Sequence, residues 1–236
     1  MEPNEALDKA FEALKTYDWG ADRNALKPID EAVVACLGNA AARKALEARL
    51  AAVLKTGASR DAKDCVCRWL RICGTAESVP TLAGLLADKD LSNMARYALE
   101  RIQVPEAGAA LHDALPKVGG ALKAGVAGSL GARRETAAAP ALIGLLGDSD
   151  AAVVIAAATA LGAIATPEAA AALAAAAKKA PAAAKAAVTD GALRAAETLA
   201  AGGKKAEAVG VYKAFMGADE PKHVKLAATR GMLGGK

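Results

Sequence analysis

Apolar residues recur three and four positions apart along most of this chain, the spacing that places them on one face of an α-helix. Leu7, Phe11 and Leu14 begin the series, and the same spacing returns in later segments. No segment shows the strict alternation of apolar and polar residues that a half-buried β-strand requires. Glycine and proline separate the periodic segments, so the pattern predicts about twelve to fourteen helices and no strands.

Polar residues in front of the periodic segments predict where helices begin. Asn39 and Ser59 suit the N-cap position, where a side-chain oxygen accepts a backbone N–H. Asp90 and Asp150 are expected at the N-cap position of two later helices. Trp19, in the loop after the first helix, is expected to pack over the helix end. Four further helices are expected to begin at a proline, whose missing N–H costs nothing in a first helical turn: Pro80, Pro105, Pro140 and Pro167.

Four short stretches of the chain resemble one another at nearly constant spacing. They end at Leu82, Leu111, Leu142 and Leu173, which stand 29, 31 and 31 residues apart. A period of about thirty residues without strands is typical of an α-solenoid, in which pairs of helices stack on their neighbours. The sequence therefore predicts an all-α fold, an α-solenoid or superhelix of helix pairs.

The best-preserved unit is Pro-x-Leu-x-x-Leu-Leu-x-Asp-x-Asp, found at 80–90 and at 140–150. After the second copy, an apolar helix ends in Ala-Leu-Gly-Ala-Ile at 160–164. This unit resembles a HEAT repeat, and the segment 67–102 is similar to one common in large bacterial HEAT-repeat proteins. The resemblance implies a fold and no catalytic motif. It is strong over 60–236 and weak over 1–59, and it leaves open whether the chain is a short member or a piece of a longer polypeptide.

Three parts are expected within one continuous solenoid. These are an N-terminal helical cap at 1–58, HEAT-like repeats at 59–202 and a C-terminal helical cap at 203–236. Composition agrees with helices throughout, because 54% of the residues are hydrophobic and only 3% are aromatic, and most of the difference is alanine. Alanine is the best helix former, and helices lined with it can pack at close distance.

The charge and the candidate chemistry exclude several classes of function. Net charge is −1 over 1–118 and +5 over 119–236, which falls short of the basic surface of a nucleic-acid-binding protein. Two histidines, His112 and His223, lie far apart in the sequence, and neither has a cysteine or carboxylate arrangement typical of a metal or nucleophile site. Cys65 and Cys67 point about 200° apart on one helix, so they do not converge on a metal. We expect no enzyme activity, no metal and no cofactor.

In solenoids of this kind the second helix of each pair lines the concave side. Counting angles places eight residues on the non-core faces of these helices, and charge gives way to small apolar side chains along the series: Arg68, Arg71, Asn93, Arg96, Ala124, Gly128, Ile155 and Thr159. The hypothesis is a non-catalytic scaffold that seats a protein or peptide partner there, with the arginines on its acidic end.

Other interpretations stay open at this stage. The same faces also fit an ordinary solvated surface, with the alanine-rich helices covered by the C-terminal part of the chain. The resemblance also extends to DNA-glycosylase-like HEAT proteins that bind nucleic acid, and to HEAT-type lyases and chaperones. The few aromatic residues make nucleic acid the weaker candidate, because such sites need a basic face with aromatic side chains.

The N-terminal sequence MEPNEALDKAFEALK is acidic and amphipathic, with neither the basic nor the apolar region of a signal peptide. No run of about 18 apolar residues free of charge occurs, so no membrane span is expected. A cytoplasmic location is therefore expected, while a secreted parent whose signal has been removed stays open. The four cysteines fit this prediction as small buried thiols in a reducing compartment.

Overall fold

The computed structural model describes residues 3–218 and 220–234, and all regular structure in this part of the chain is helical. Short 3₁₀ turns join several of the α-helices. The fourteen α-helices of the described residues are α1 (Pro3–Lys15), α2 (Lys27–Ala35), α3 (Ala40–Leu54), α4 (Arg60–Cys73), α5 (Val79–Ala83), α6 (Ser92–Leu99), α7 (Pro105–Ala114), α8 (Gly120–Ala132), α9 (Ala139–Gly144), α10 (Ala151–Ile164), α11 (Pro167–Ala177), α12 (Ala182–Ala201), α13 (Lys205–Ala214) and α14 (Lys222–Gly234).

The chain divides into two compact units, Met1–Lys117 and Val118–Lys236. In the first unit the second helices α2, α4 and α6 pack in a row, and so do α3, α5 and α7. In the second unit α8, α10, α12 and α14 form one row, and α9, α11 and α13 form the other. Two parallel rows of stacked helices are the arrangement of an all-α solenoid, as the sequence predicted. The boundaries expected at 58 and 202 stay a prediction.

Leucines of the repeat form the centre of each unit. Leu82 and Leu111 in the first unit and Leu142 and Leu173 in the second are fully buried. Trp69 is also buried, and its indole Nε1 donates to the Asp30 carboxylate at 2.7 Å. These four leucines and Trp69 therefore lie in the core.

Most of the predicted helix starts are confirmed. The Asn39 side chain accepts from the Ala42 N–H at 3.0 Å, and the Ser59 hydroxyl accepts from the Ala62 N–H at 3.0 Å. Asp150 accepts from the Ala152 N–H at 2.8 Å. Helices α5, α7, α9 and α11 each carry the predicted proline in their first turn.

Two local predictions are wrong. Asp90 does not cap α6, because the helix begins later, at Ser92, with Leu91 in the cap position. The Asp88 carboxylate instead accepts from the backbone N–H groups of Asp90 and Leu91, at 2.8 and 3.0 Å. Trp19 does not pack over a helix end, because its side chain is 88% exposed.

A side-chain clamp from α3 holds the connection between α4 and α5. Glu47 is buried, and its carboxylate accepts from the Thr75 N–H and hydroxyl, both at 2.7 Å, and from the Ser78 N–H at 3.0 Å. Arg43 donates to the carbonyls of Cys73 and Gly74 at 2.7 and 2.8 Å. The Glu47 carboxylate therefore satisfies N–H donors just before α5, and the Arg43 guanidinium satisfies carbonyl acceptors at the end of α4.

In the second unit, α10 and α12 touch through their backbones. A methyl group added to Gly191 would lie 2.6 Å from the carbonyl oxygen of Ala158. One added to Gly162 would lie 2.9 Å from the Gly191 Cα. This approach needs residues without a large side chain, which explains the alanine and glycine composition of these helices.

Candidate functional site

The exposed sides of α4 and α6 form one surface of the first unit, which we call the arginine face: Arg68, Arg71, Ile72, Asn93, Arg96 and Tyr97. The arginines and Asn93 lie opposite the buried stripe of each helix, which includes Leu70 on α4 and Ala98 on α6, and Ile72 and Tyr97 lie at its edge. The sequence predicted four of the six. It missed Ile72 and Tyr97, which are 50% and 40% exposed.

The centre of the arginine face is a stacked pair. The Arg71 guanidinium lies over the Tyr97 ring, 4.3 Å from the ring centroid, and so joins α4 to α6. A cation over an aromatic face is an attractive contact, and it holds both side chains in one orientation. Ile72 follows Arg71 along α4 and leaves half of its surface open to solvent.

Two further arginines flank this pair. The Arg68 Nε donates to the Asp64 carboxylate at 2.9 Å, and this hydrogen bond raises the pKa of Arg68. The Arg96 Nη2 donates to the Asn93 side-chain oxygen at 3.0 Å. Burial lowers the pKa of Arg96, although an arginine remains protonated at neutral pH. Both side chains are therefore held in place and charged.

Behind the arginine face, Asp30 ties α2 to α4. It accepts from Trp69 and pairs with Arg23, whose Nη2 lies 3.1 Å from Oδ1. Cys65 lies beside this group, with its sulfur 3.8 Å from the Arg23 Nη1. Burial raises the pKa of the Cys65 thiol despite the arginine, so the thiol is protonated at neutral pH and a weak nucleophile.

The exposed sides of α8 and α10 form a surface of the second unit, which we call the small-residue face: Ala121, Ala124, Gly128, Ala152, Ile155 and Thr159. Ile155 is its largest side chain and is 37% exposed. The Thr159 hydroxyl donates to the Ile155 carbonyl at 2.9 Å, so its one hydrogen-bond donor is used within the helix. The structure thus groups the predicted residues into two sets, one in each unit.

Two clefts lie between the first helices of neighbouring helix pairs, and neither contains a group of side chains typical of a catalytic site. One of about 340 Å³, at α3 and α5, is lined by residues that include Lys44, Lys55 and Glu77. Another of about 510 Å³, between α11 and α13, is lined by small residues with Glu168 and Glu207. In the described part of the chain, no three metal-binding side chains stand together. No described helix is long and apolar enough to cross a membrane.

The two rows of helices and their open outer faces define a helical-repeat protein of the α-solenoid class. Residues 109–192 match the family model described as HEAT repeats. A crystal structure of an engineered protein is similar at 18% identity, with a TM-score of 0.49, over 96% of this chain and 67% of that one. No curated protein matches this chain.

Proposed function

We propose that this chain is a non-catalytic scaffold that binds a segment of a partner protein on the exposed faces of its second helices. HEAT repeats generally serve protein interactions, which supports the proposal. The observation that carries it is the stacked pair Arg71–Tyr97 beside the exposed Ile72. Arginine and tyrosine are enriched among the residues that contribute most to binding energy, and the stack orders both before a partner arrives.

The arginine face favours an acidic segment with an apolar anchor. Arg68, Arg71 and Arg96 supply three positive charges within two helices, and Ile72 offers an apolar contact among them. Asp64 already neutralises part of the charge of Arg68. Glu100, at the end of α6, likewise interacts with Arg96. We therefore infer that Arg71 makes the strongest contacts with partner carboxylates.

The small-residue face would take a different kind of contact. Because Ile155 is the largest side chain on the small-residue face, a partner helix can approach the backbones of α8 and α10 closely there and bury Ile155. This face carries no charge of its own, so it favours an apolar segment. The proposal does not require both faces to bind the same partner.

A protein partner is favoured over a nucleic acid on the arginine face. Asp64 lies among its arginines, and Tyr97 is its sole aromatic side chain within the described residues. Strong nucleic-acid sites combine a uniformly basic surface with several stacking aromatics.

The four cysteines are free thiols, which supports the proposed cytoplasmic location.

The experiment compares three baits in a pull-down from source-cell lysate: wild type, Arg71→Glu and Lys44→Glu. Lys44 is exposed on α3, away from the arginine face, so its variant matches the change in charge. A protein retained by wild type and by Lys44→Glu, and lost with Arg71→Glu, supports the proposal. Recovery by all three baits contradicts it.

The nucleic-acid alternative is tested in the same experiment with and without nuclease, at about 50 and 200 mM salt. Nucleic acid recovered at the lower salt and lost steeply at the higher one would replace the proposal, because counterion release makes such binding strongly salt-dependent. A protein that is still recovered after nuclease treatment and at the higher salt supports the proposal.

A further inference from the structure

The cleft between α11 and α13 in the second unit carries charge of one sign. Its volume is about 510 Å³, and the charged side chains that line it are both acidic. The cleft at α3 and α5, by contrast, is lined by lysines as well as carboxylates. The other side chains around the α11/α13 cleft are small or apolar. We call this surface the acidic groove: Glu168, Ala171, Ala174, Glu207, Gly210 and Val211.

The connections of α12 place the two carboxylates at one end of the acidic groove. Four residues join α11 to α12 and three join α12 to α13, and α12 packs against both helices. Helices joined by such short loops run antiparallel, so α11 and α13 run in the same direction. Glu168 and Glu207 each lie in the first turn of their helix. The groove therefore has an acidic end, and beyond it the lining is uncharged.

Both carboxylates are accessible to a partner. Glu168 and Glu207 are exposed, and neither forms an ion pair with a described residue. Hydrogen bonds from its own backbone N–H and from the Thr166 hydroxyl, and then the charge of Lys204, lower the pKa of Glu168, so it is ionised at neutral pH. Lys178 lies at the opposite end, directly after α11. Two carboxylates against Lys204 leave this end of the groove negative.

Gly210 distinguishes a binding groove from two ordinary helix starts. An acid in a first turn also stabilises its own helix, so the carboxylates alone define no site. Gly210 lies inside α13, where glycine is less stable than alanine, yet a methyl group added there would meet nothing within 4 Å. At Gly162 and Gly191, in contrast, a neighbouring backbone leaves no room. Packing within the chain does not require a glycine at 210, whereas close approach of a partner backbone would.

We propose that the acidic groove binds a helical segment of a partner protein that carries basic residues in one turn and small apolar residues in the next. Lysine or arginine side chains of the segment pair with Glu168 and Glu207. Its apolar turn lies over Ala171 and Val211, and Gly210 lets its backbone approach α13. Charge complementarity identifies this partner, because the charged lining of the groove is of one sign. The proposal does not rest on the function proposed for the arginine face, which favours an acidic segment.

The first test uses the full chain and a fluorescein-labelled probe peptide of about sixteen residues, a length that supports a helix. The probe carries two arginines one turn apart, followed by alanine and leucine at helical spacing, and a matched peptide has glutamine in place of both arginines. Fluorescence anisotropy should show the probe binding roughly tenfold more tightly than the matched peptide at about 50 mM salt, and the difference should shrink at about 500 mM. Equal affinity of the two peptides, or no binding up to about 200 µM, overturns the proposal.

The second test removes the acidic end of the groove. Glu168→Gln with Glu207→Gln should weaken binding of the arginine probe roughly tenfold. The matched control is Asp190→Asn with Glu197→Gln, which removes two exposed carboxylates from α12 outside the groove and should bind like wild type. Unchanged binding by the first variant contradicts the proposal. An equal loss in both variants contradicts it too, because the attraction would then come from net charge alone.

The third test closes the groove. The leucine of Gly210→Leu enters open space, so this variant should melt no lower than wild type and should lose the probe. Gly128→Leu places the same side chain at an exposed helical glycine of the small-residue face and should leave binding unchanged. Wild-type binding by Gly210→Leu overturns the proposal. If Gly210→Leu loses its helical circular dichroism, the two carboxylate variants decide the question by themselves.

Discussion

Replacing Glu47 by alanine would remove one half of the clamp that holds the α4–α5 connection. The carboxylate accepts three hydrogen bonds from Thr75 and Ser78, at 2.7, 2.7 and 3.0 Å, and the glutamate is only 2% exposed. A hydrogen bond to a charged group contributes roughly 1.5–3 kcal/mol. Thr75 is half-buried, so water replaces part of what is lost. We therefore expect the free energy of unfolding of the first unit to fall by about 3–5 kcal/mol.

The assay is urea unfolding followed by tryptophan fluorescence. Both tryptophans of the chain, Trp19 and Trp69, lie in the first unit, so the signal reports on that unit. The buried Trp69 should supply the change, because Trp19 is already exposed. Observing one unit avoids treating the whole chain as a single two-state transition.

The matched control is Glu77→Ala, which removes an exposed carboxylate from the same connection. It should change the free energy of unfolding by about 0.5 kcal/mol or less. Glu47→Gln should fall between the two, because an amide keeps the shape and loses the charge. If Glu47→Ala is no more destabilising than Glu77→Ala, the three hydrogen bonds do not hold the connection and the reasoning is wrong.

Three further predictions concern packing and protonation. Leu82→Ala should cost about 2–5 kcal/mol in a urea titration, because the leucine is fully buried, and a near-zero cost would contradict its place in the core. Gly191→Ala should destabilise by about 1–3 kcal/mol through overpacking. Gly128→Ala should stabilise by roughly 0.5–1 kcal/mol, since nothing lies within 4 Å of the added methyl group. Equal melting temperatures for the two variants would refute the backbone contact. Burial raises the pKa of Cys67 and Cys73 from 9.0 to about 12, so the stability that each thiol contributes is complete below pH 9 and is lost as the pH rises towards 12. Cys67→Ala should flatten that decline in melts between pH 9 and 11, and an unchanged slope would contradict it.

Local signals predicted most of the helix ends. Asn39, Ser59 and Asp150 cap helices as expected, because an N-cap side chain bonds a backbone N–H only two or three residues away. Asp90 failed because α6 begins only at Ser92, and the acid that accepts backbone N–H groups before this helix is Asp88, two residues earlier. Two acids so close to a helix start compete for one role, and the sequence does not say which prevails.

The arginine face was predicted in part. Arg68, Arg71, Asn93 and Arg96 follow from helix angles, because charged side chains opposite an apolar stripe must face solvent. Ile72 and Tyr97 were missed because apolar residues at the edge of a stripe are assigned to the core by default. Ile72 stands four residues after Arg68, and Tyr97 stands four after Asn93, so the helical spacing itself was the available signal.

The sequence by itself determined the helices, the buried leucines of the repeat and the all-α class, because each depends on spacing within a single helix. Only the tertiary structure decided which helices meet and at what distance. Arg71 stacks on Tyr97 and Glu47 bonds Thr75 across gaps of 26 and 28 residues. Likewise, Gly191 meets Ala158 through the backbone alone. Such contacts depend on how one helix stacks on the next, and no periodicity within a helix records that.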